Sequence, residues 1–171
     1  MANVILVNLE DSPIGTMDKL EAHQKGALHR AYSIFLFNDK NEILLQKRAS
    51  DKYHSSNLWT NTCCSHPAPG EHLTTSAQNR LSEEMGISTS LRSLFSFIYK
   101  TEFEDGLIEN ELDHILIGKF NAPPLPNPLE VSDWRYASLE EISKEIEDAP
   151  ESYTFWFKEI YKRVFNYILS N

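Results

Sequence analysis

The stretch His29–Phe37 is rich in aromatic and aliphatic residues, runs into the turn residues Asn38-Asp-Lys-Asn41, and resumes as Glu42–Arg48. Two β-forming runs flanking such a turn predict a hairpin, and the rest of the fold must be built around it. A second, longer hairpin is predicted for Leu94–Phe103 and Leu107–Phe120, turning at Glu104-Asp-Gly106. Val4–Leu9 reads as a strand ending at Asp11-Ser-Pro-Ile-Gly15, and short strands are expected at Leu58–Asn61 and Trp134–Ala137. Loop residues run from Ala49 to Asn57, and Thr62–Leu73 reads as a polar loop.

Four helices are expected. Thr16 caps Met17–Lys25 with Gly26 as its stop; Thr74 or Thr75 begins a helix to Met85 with Gly86 after it. Ser138 with Glu141 forms a capping box for Leu139–Asp148. After Pro150, the helical spacing of Trp156, Ile160, Val164 and Tyr167 marks a last helix over Tyr153–Leu169. Pro123, Pro124, Pro126 and Pro128 make a stiff surface connection. The order is that of an α+β fold with mostly antiparallel strands.

The 171 residues suit one domain, 1–171, and a chain of this size buries roughly 68–70% of its unfolded surface without a staple. With 25 acidic against 16 basic residues, the net charge of −9 argues against nucleic acid or an anionic membrane as partner. A local basic pocket for an anionic substrate remains compatible with it. Cys63 and Cys64 are the only cysteines and are adjacent, so no disulfide framework is expected. Reduced thiols, no signal-like N-terminus and no apolar run near the ~18 residues of a membrane span predict a cytoplasmic protein.

In the strand around Leu107-Ile-Glu-Asn-Glu-Leu-Asp-His114, alternation puts Glu109, Glu111 and Asp113 on one face. Like charges so close repel unless water or a cation separates them. The residues alone allow either a solvated outer face or a metal site with hard oxygen ligands. His23, His29 and His66 would add three nitrogen donors to Glu109 and Glu111, a sensible set for Zn²⁺ or Mn²⁺.

Trp59-Thr-Asn-Thr-Cys-Cys-Ser-His-Pro67 places a thiol two residues from an imidazole. A buried structural cysteine is the commoner case and a reactive thiol the sharper one; alternation lets only one of the pair face a given pocket. On the predicted helix ending at Met85, Glu83 and Glu84 are ~100° apart, so one can face inward while the other is solvated. An inward carboxylate there suits Mg²⁺ with substrate phosphates. Gln46-Lys-Arg48-Ala-Ser-Asp-Lys52, with Lys19 on the first helix, reads equally as a phosphate site or a solvated strand end.

Four motifs in order carry a resemblance: Ala22-His-Gln through Leu28-His29-Arg30-Ala, then Trp59-Thr-Asn-Thr-Cys-Cys-Ser-His-Pro, then Glu84-Met-Gly, then Glu109-Asn-Glu111. Over about Thr16 to Trp156 the chain resembles the type 1 isopentenyl-diphosphate Δ-isomerases of the Nudix superfamily. The resemblance implies a Nudix-type α/β/α sandwich with a mixed, largely antiparallel sheet. It implies reversible conversion of isopentenyl to dimethylallyl diphosphate in isoprenoid biosynthesis, with a Nudix diphosphate hydrolase as the alternative.

By the same resemblance, Cys64 and Glu111 are catalytic, with Tyr99 assisting the carboxylate. His23, His29, His66, Glu109 and Glu111 hold a divalent ion (Mn²⁺, Zn²⁺ or Mg²⁺), and Glu84 holds a second, Mg²⁺, on the diphosphate. Lys19, Arg48, Lys52 and Arg80 contact the diphosphate, and Trp156 walls the pocket. The implied partner is a small isoprenoid diphosphate, taken by a monomer or weak dimer. The hydrolase box carries Arg-Glu ahead of its Glu-Glu-x-Gly ending; here Asn79 and Arg80 stand there, ahead of Leu81-Ser-Glu83-Glu84-Met-Gly86. The lost carboxylate weakens the hydrolase alternative.

Overall fold

The computed structural model describes residues 2–171. Nine strands form one sheet: β1 (Asn3–Val7), β2 (Pro13–Asp18), β3 (His29–Phe37), β4 (Ile43–Arg48), β5 (Trp59–Thr60), β6 (Cys63–Ser65), β7 (Arg92–Glu102), β8 (Ile108–Lys119) and β9 (Val131–Ala137). The helices are α1 (Lys19–Lys25), α2 (Leu73–Met85), α3 (Leu139–Asp148) and α4 (Phe155–Ser170). One pairing is parallel, β3 with β8, and the others are antiparallel. This is the mixed, largely antiparallel sheet expected.

Strand β3 explains the layering. Its run is apolar on both faces because both faces are covered. Phe35 and Phe37 join Ile115 and Ile117 of β8 beneath Ile142 of α3 and Phe157, Ile160, Val164 and Phe165 of α4. Tyr32, Ile34 and Leu36 point the other way, onto Ala77, Leu81 and Met85 of α2. The sheet is thus sandwiched between α2 on one side and α3 with α4 on the other.

Two expected loops contain strands. Pro13–Asp18 pairs antiparallel with β1, Asn3 opposite Asp18, so the turn is confined to the residues around Asn8–Ser12. Its proline and glycine are tolerated because β2 is an exposed edge strand. The first helix therefore starts later than Met17: Asp18, not Thr16, caps it, its Oδ1 accepting from Leu20 N at 3.0 Å and Glu21 N at 3.2 Å. Within the expected polar loop, Cys63–Ser65 is a strand, with Ile34 opposite Cys63 and Ser33 opposite Cys64. Three residues are too few to show an alternating pattern, and their pairing comes from the distant β3.

Gly86 closes α2 at φ 64°, where a Cβ would stand 2.6 Å from the Leu125 carbonyl oxygen. The proline-rich segment lies against that end of α2, Leu125 N and Asn127 N donating to Met85 O (2.9 Å) and Glu84 O (2.8 Å). The capping box of α3 forms as expected, Ser138 Oγ accepting from Glu141 N and Glu141 Oε2 from Ser138 N. Ser138→Ala should lower stability by about 1 kcal/mol. A urea melt with unchanged slope would check this, and an unaltered midpoint would show the box to be idle. After a single turn of 3₁₀ helix at Pro150–Ser152, α4 begins at Phe155 rather than Tyr153.

Candidate active site and metal centre

One pocket opens where α1, the parallel pair β3 and β8, strand β6 and the start of α4 meet. Lys19, Arg48, Lys52, Cys64, His66, Arg80, Glu84, Tyr99, Glu109, Glu111 and Trp156 all line it. His23 and His29 lie behind it, fully buried. The structure therefore brings together every site residue expected from the sequence.

The carboxylates of β8 are no solvated face: Glu109, Glu111 and Asp113 are 3%, 6% and 1% exposed. The register of the parallel pair sets His29 beside Glu111. Glu111 Oε1 is a hub, 3.6 Å from His23 Nε2, 3.3 Å from His29 Nε2 and 2.9 Å from His66 Nε2. The other faces of two rings are fixed by backbone: His23 Nδ1 lies 2.7 Å from Lys19 O, and His29 Nδ1 2.8 Å from Ala27 O. Carbonyls can only accept, so each Nδ1 carries the proton and each Nε2 offers a lone pair.

Burial would raise the Glu111 carboxyl, but the surrounding imidazoles, His66 foremost with His23 and His29, outweigh it and hold the group well below the usual range. Glu109 goes the other way: burial and then the charge on Glu111 push it up, against hydrogen bonding from Tyr99. Tyr99 Oη sits between them, 2.7 Å from Glu111 Oε2 and 3.0 Å from Glu109 Oε2. Burial lowers His66 to about 4 despite the adjacent Glu111 charge. Asp113, raised by burial and by Glu111, is tied off by the Ser33 hydroxyl at 2.7 Å.

These donors fit a divalent cation. The buried Nε2 atoms of His23 and His29 make no hydrogen bond, a costly arrangement unless something else fills their lone pairs. One donor atom from each of His23, His29, His66 and Glu111 lies within 4.8 Å of the others. Glu109, expected in the same set, falls instead in a second group with His23 and His54. Positive charge between the carboxylates would also relieve the repulsion that pushes Glu109 up.

The adjacent cysteines face opposite sides of β6. Cys63 is fully buried against α2, its Sγ 3.3 Å from Glu84 Oε2, whereas Cys64 lines the pocket. Burial pushes the Cys64 thiol up to about 12, partly opposed by Arg48 and reinforced by Glu84, Asp113 and Glu111. It is a neutral thiol, a proton donor in kind.

On α2, Glu84 is inward at 5% exposure, and the Glu83 side chain is 65% exposed. Gln46 Nε2 donates to Glu84 Oε2 at 3.0 Å, and Arg80 Nη2 lies 2.7 Å from Glu84 Oε1. Arg80 Nη2 also lies 3.1 Å from Glu130, which pairs with Lys52 as well. Glu130, just beyond the proline-rich connection, thus joins the basic cluster through Lys52 and Arg80, and no local pattern singles it out. Arg48 stacks on Trp156, 5.4 Å from the ring centroid, and Trp156 Nε1 donates to Asn61 Oδ1 at 3.0 Å. Lys19 is held below its usual range by burial, opposed by Glu111 and Cys64. Tyr53 and His54 complete the wall, and both come from the segment read as plain loop.

Residues 27–157 match the NUDIX domain family. The chain is 47% identical over 161 residues to isopentenyl-diphosphate Delta-isomerase 2 of Aromatoleum aromaticum, covering 94% of this chain and 85% of that protein. It is 50% identical to isopentenyl-diphosphate Delta-isomerase 2 of Photorhabdus laumondii, covering 92% and 89%. The chain belongs to the isopentenyl-diphosphate Δ-isomerase family of NUDIX-domain proteins. A third member of this isomerase family, from Pectobacterium atrosepticum, is 46% identical over 98% of this chain and 93% of its own. Among solved structures, DR0079 from Deinococcus radiodurans aligns with TM-score 0.78 at 20% identity, over 94% of this chain and 98% of that one. The MutT protein of Methanosarcina mazei aligns with TM-score 0.66 at 18% identity over 84% and 96%. At these identities they support the Nudix sandwich alone. No helix of the described residues is long and apolar enough to cross a membrane.

Proposed function

We infer that this chain interconverts isopentenyl and dimethylallyl diphosphates by protonation and deprotonation through a carbocation. The observation that carries the reading, beside the isomerase relatives, is that the Cys64 thiol and the buried Glu111 carboxylate line one pocket together with Lys19, Arg48, Lys52 and Arg80.

Moving a double bond adds a proton at one carbon and removes one from another. An unactivated alkene is a weak base and its protonation yields a tertiary cation, so acid and base must be positioned and water kept away. Cys64 and Glu111 are the two groups, and they exchange roles with the direction of reaction. Tyr99, hydrogen-bonded to Glu111 and Glu109, orients the carboxylates and holds a proton at its Oη. Trp156 offers a π surface to the cation, worth ~2 kcal/mol when desolvated. Lys19, Arg48, Lys52 and Arg80 bind the diphosphate, whose binding energy positions a hydrocarbon that carries no handle of its own.

His23, His29, His66, Glu109 and Glu111 hold a divalent cation, Mn²⁺, Zn²⁺ or Mg²⁺, which when bound supplies the charge that keeps both carboxylates ionised. Glu84 holds Mg²⁺ against the diphosphate. On α2, Arg80 reaches Glu84 in place of a further carboxylate, which suits a site that keeps its diphosphate intact. The chain acts as one domain in the cytoplasm, as a monomer or weak dimer.

Incubation with isopentenyl diphosphate in deuterated water tests the reading: NMR should show deuterium entering dimethylallyl diphosphate. Phosphate release without isomerisation would instead identify a hydrolase. Exhaustive chelation followed by desalting should abolish turnover, and one divalent ion should restore it; full activity after metal removal would refute the metal centre.

A further inference from the structure

Glu130 lies outside the motifs of the isomerase resemblance, immediately before β9, and its backbone is anchored on both sides. Its N–H donates to Asn127 O at 2.9 Å, and its carbonyl accepts from Ala49 N at 3.0 Å. The next residue, Val131, stands opposite Arg48 of β4. From this fixed position a single oxygen, Glu130 Oε2, accepts from the Lys52 ammonium and lies 3.1 Å from Arg80 Nη2. The three side chains are each less than a third exposed, so water and salt screen the cluster less than they would an open surface pair. Burial would raise the Glu130 carboxyl, but Lys52 and Arg80 outweigh it and hold the group below its ordinary value.

The two cations come from separate elements. Arg80 is on α2, whereas Lys52 sits in the irregular connection between β4 and β5, where Ser55 and Asn57 take positive φ. Among the described residues Glu130 is the only ion-pair partner of Lys52. Two like charges brought side by side repel, and both side chains are long and rich in rotamers. One carboxylate oxygen shared between them removes both difficulties. We propose that Glu130 is a positioning residue for the diphosphate, gathering Lys52 and Arg80 on the pocket wall before the substrate arrives. The proposal rests on reading those two side chains as diphosphate contacts. Lys52 and Arg80 line the pocket and Glu130 does not, so the carboxylate meets their charged ends from outside the lining. Its negative charge opposes a bound anion to some extent. Against that, two flexible side chains are ordered on folding and not at the moment of binding, which is how preorganisation raises affinity.

The probe is inorganic diphosphate, titrated calorimetrically into the full chain in buffer containing Mg²⁺. Glu130→Ala should weaken its binding by about tenfold. Glu130→Gln, which keeps the shape of the side chain without its charge, should act in the same direction and guards against a folding defect. In a Lys52→Ala background, Glu130→Ala should cost clearly less than in the unsubstituted chain, because the residue acts through that lysine. With isopentenyl diphosphate as substrate, KM should rise by a similar factor while kcat changes little. Unchanged or tighter diphosphate binding in both Glu130 variants would overturn the proposal. So would a full loss that persists in the Lys52→Ala background, or a fall in kcat with KM unchanged. Diphosphate binding that Lys52→Ala and Arg80→Ala each leave intact would instead fell the reading of the basic cluster beneath it.

Discussion

Cys64→Ala is expected to lower turnover by at least about 10²–10⁴-fold, the usual worth of a positioned proton donor, while leaving the fold intact. Cys64 is the thiol in the pocket wall, and burial keeps it protonated. Its neighbour cannot replace it: Cys63 faces α2 on the other side of the sheet, bound to Glu84. Cys63→Ala should accordingly keep most of the turnover and cost about 1 kcal/mol of stability for the lost hydrogen bond. The deuterium-incorporation assay with a thermal melt for each variant separates the two roles. An inactive Cys63→Ala beside an active Cys64→Ala would reverse the assignment.

This division between adjacent cysteines shows where sequence reasoning stops. Alternation says that they face opposite ways, yet which one meets the pocket depends on β6 pairing with β3, where Ser33 stands opposite Cys64 and Ile34 opposite Cys63. The long elements were legible because each carries its own signal: the apolar run of β3, the Glu104–Gly106 turn between β7 and β8, the capping box of α3. Strands β2 and β6 were not, since one is an exposed edge containing proline and glycine and the other is three residues long. The site divides in the same way. Glu109 and Glu111 share a face by local geometry, but their burial follows from β8 lying parallel to β3 with His29 at the Glu111 register. No local pattern encodes that. His54 and Glu130 went unread because both sit in irregular connections, where position is set by packing against Phe103, Lys52 and Arg80 and not by a repeat.

Glu111→Gln should have the broadest consequence of any single substitution, because one side chain serves two functions. The amide has the same shape but no charge, is no base, and is a poorer partner for three imidazole nitrogens that now converge on Oε1. Loss of the base alone removes about 10²–10⁴-fold in rate. Loss of the anionic donor should weaken cation binding as well, by at least about 10–100-fold. The second effect can be read without turnover. A cation at 100 times its Kd stabilises the fold by about 2.7 kcal/mol; if Kd rises a hundredfold, the same concentration gives only about 0.4 kcal/mol. The metal-dependent rise in melting temperature should therefore nearly vanish in Glu111→Gln while the metal-free proteins melt alike. Excess metal that restores the thermal shift but not the rate would isolate the base function, since saturation repairs occupancy and cannot repair a missing proton acceptor. Recovery of both would leave Glu111 a metal ligand only, and the proton would have to be sought on Glu109 or Tyr99, the two groups hydrogen-bonded into the same cluster.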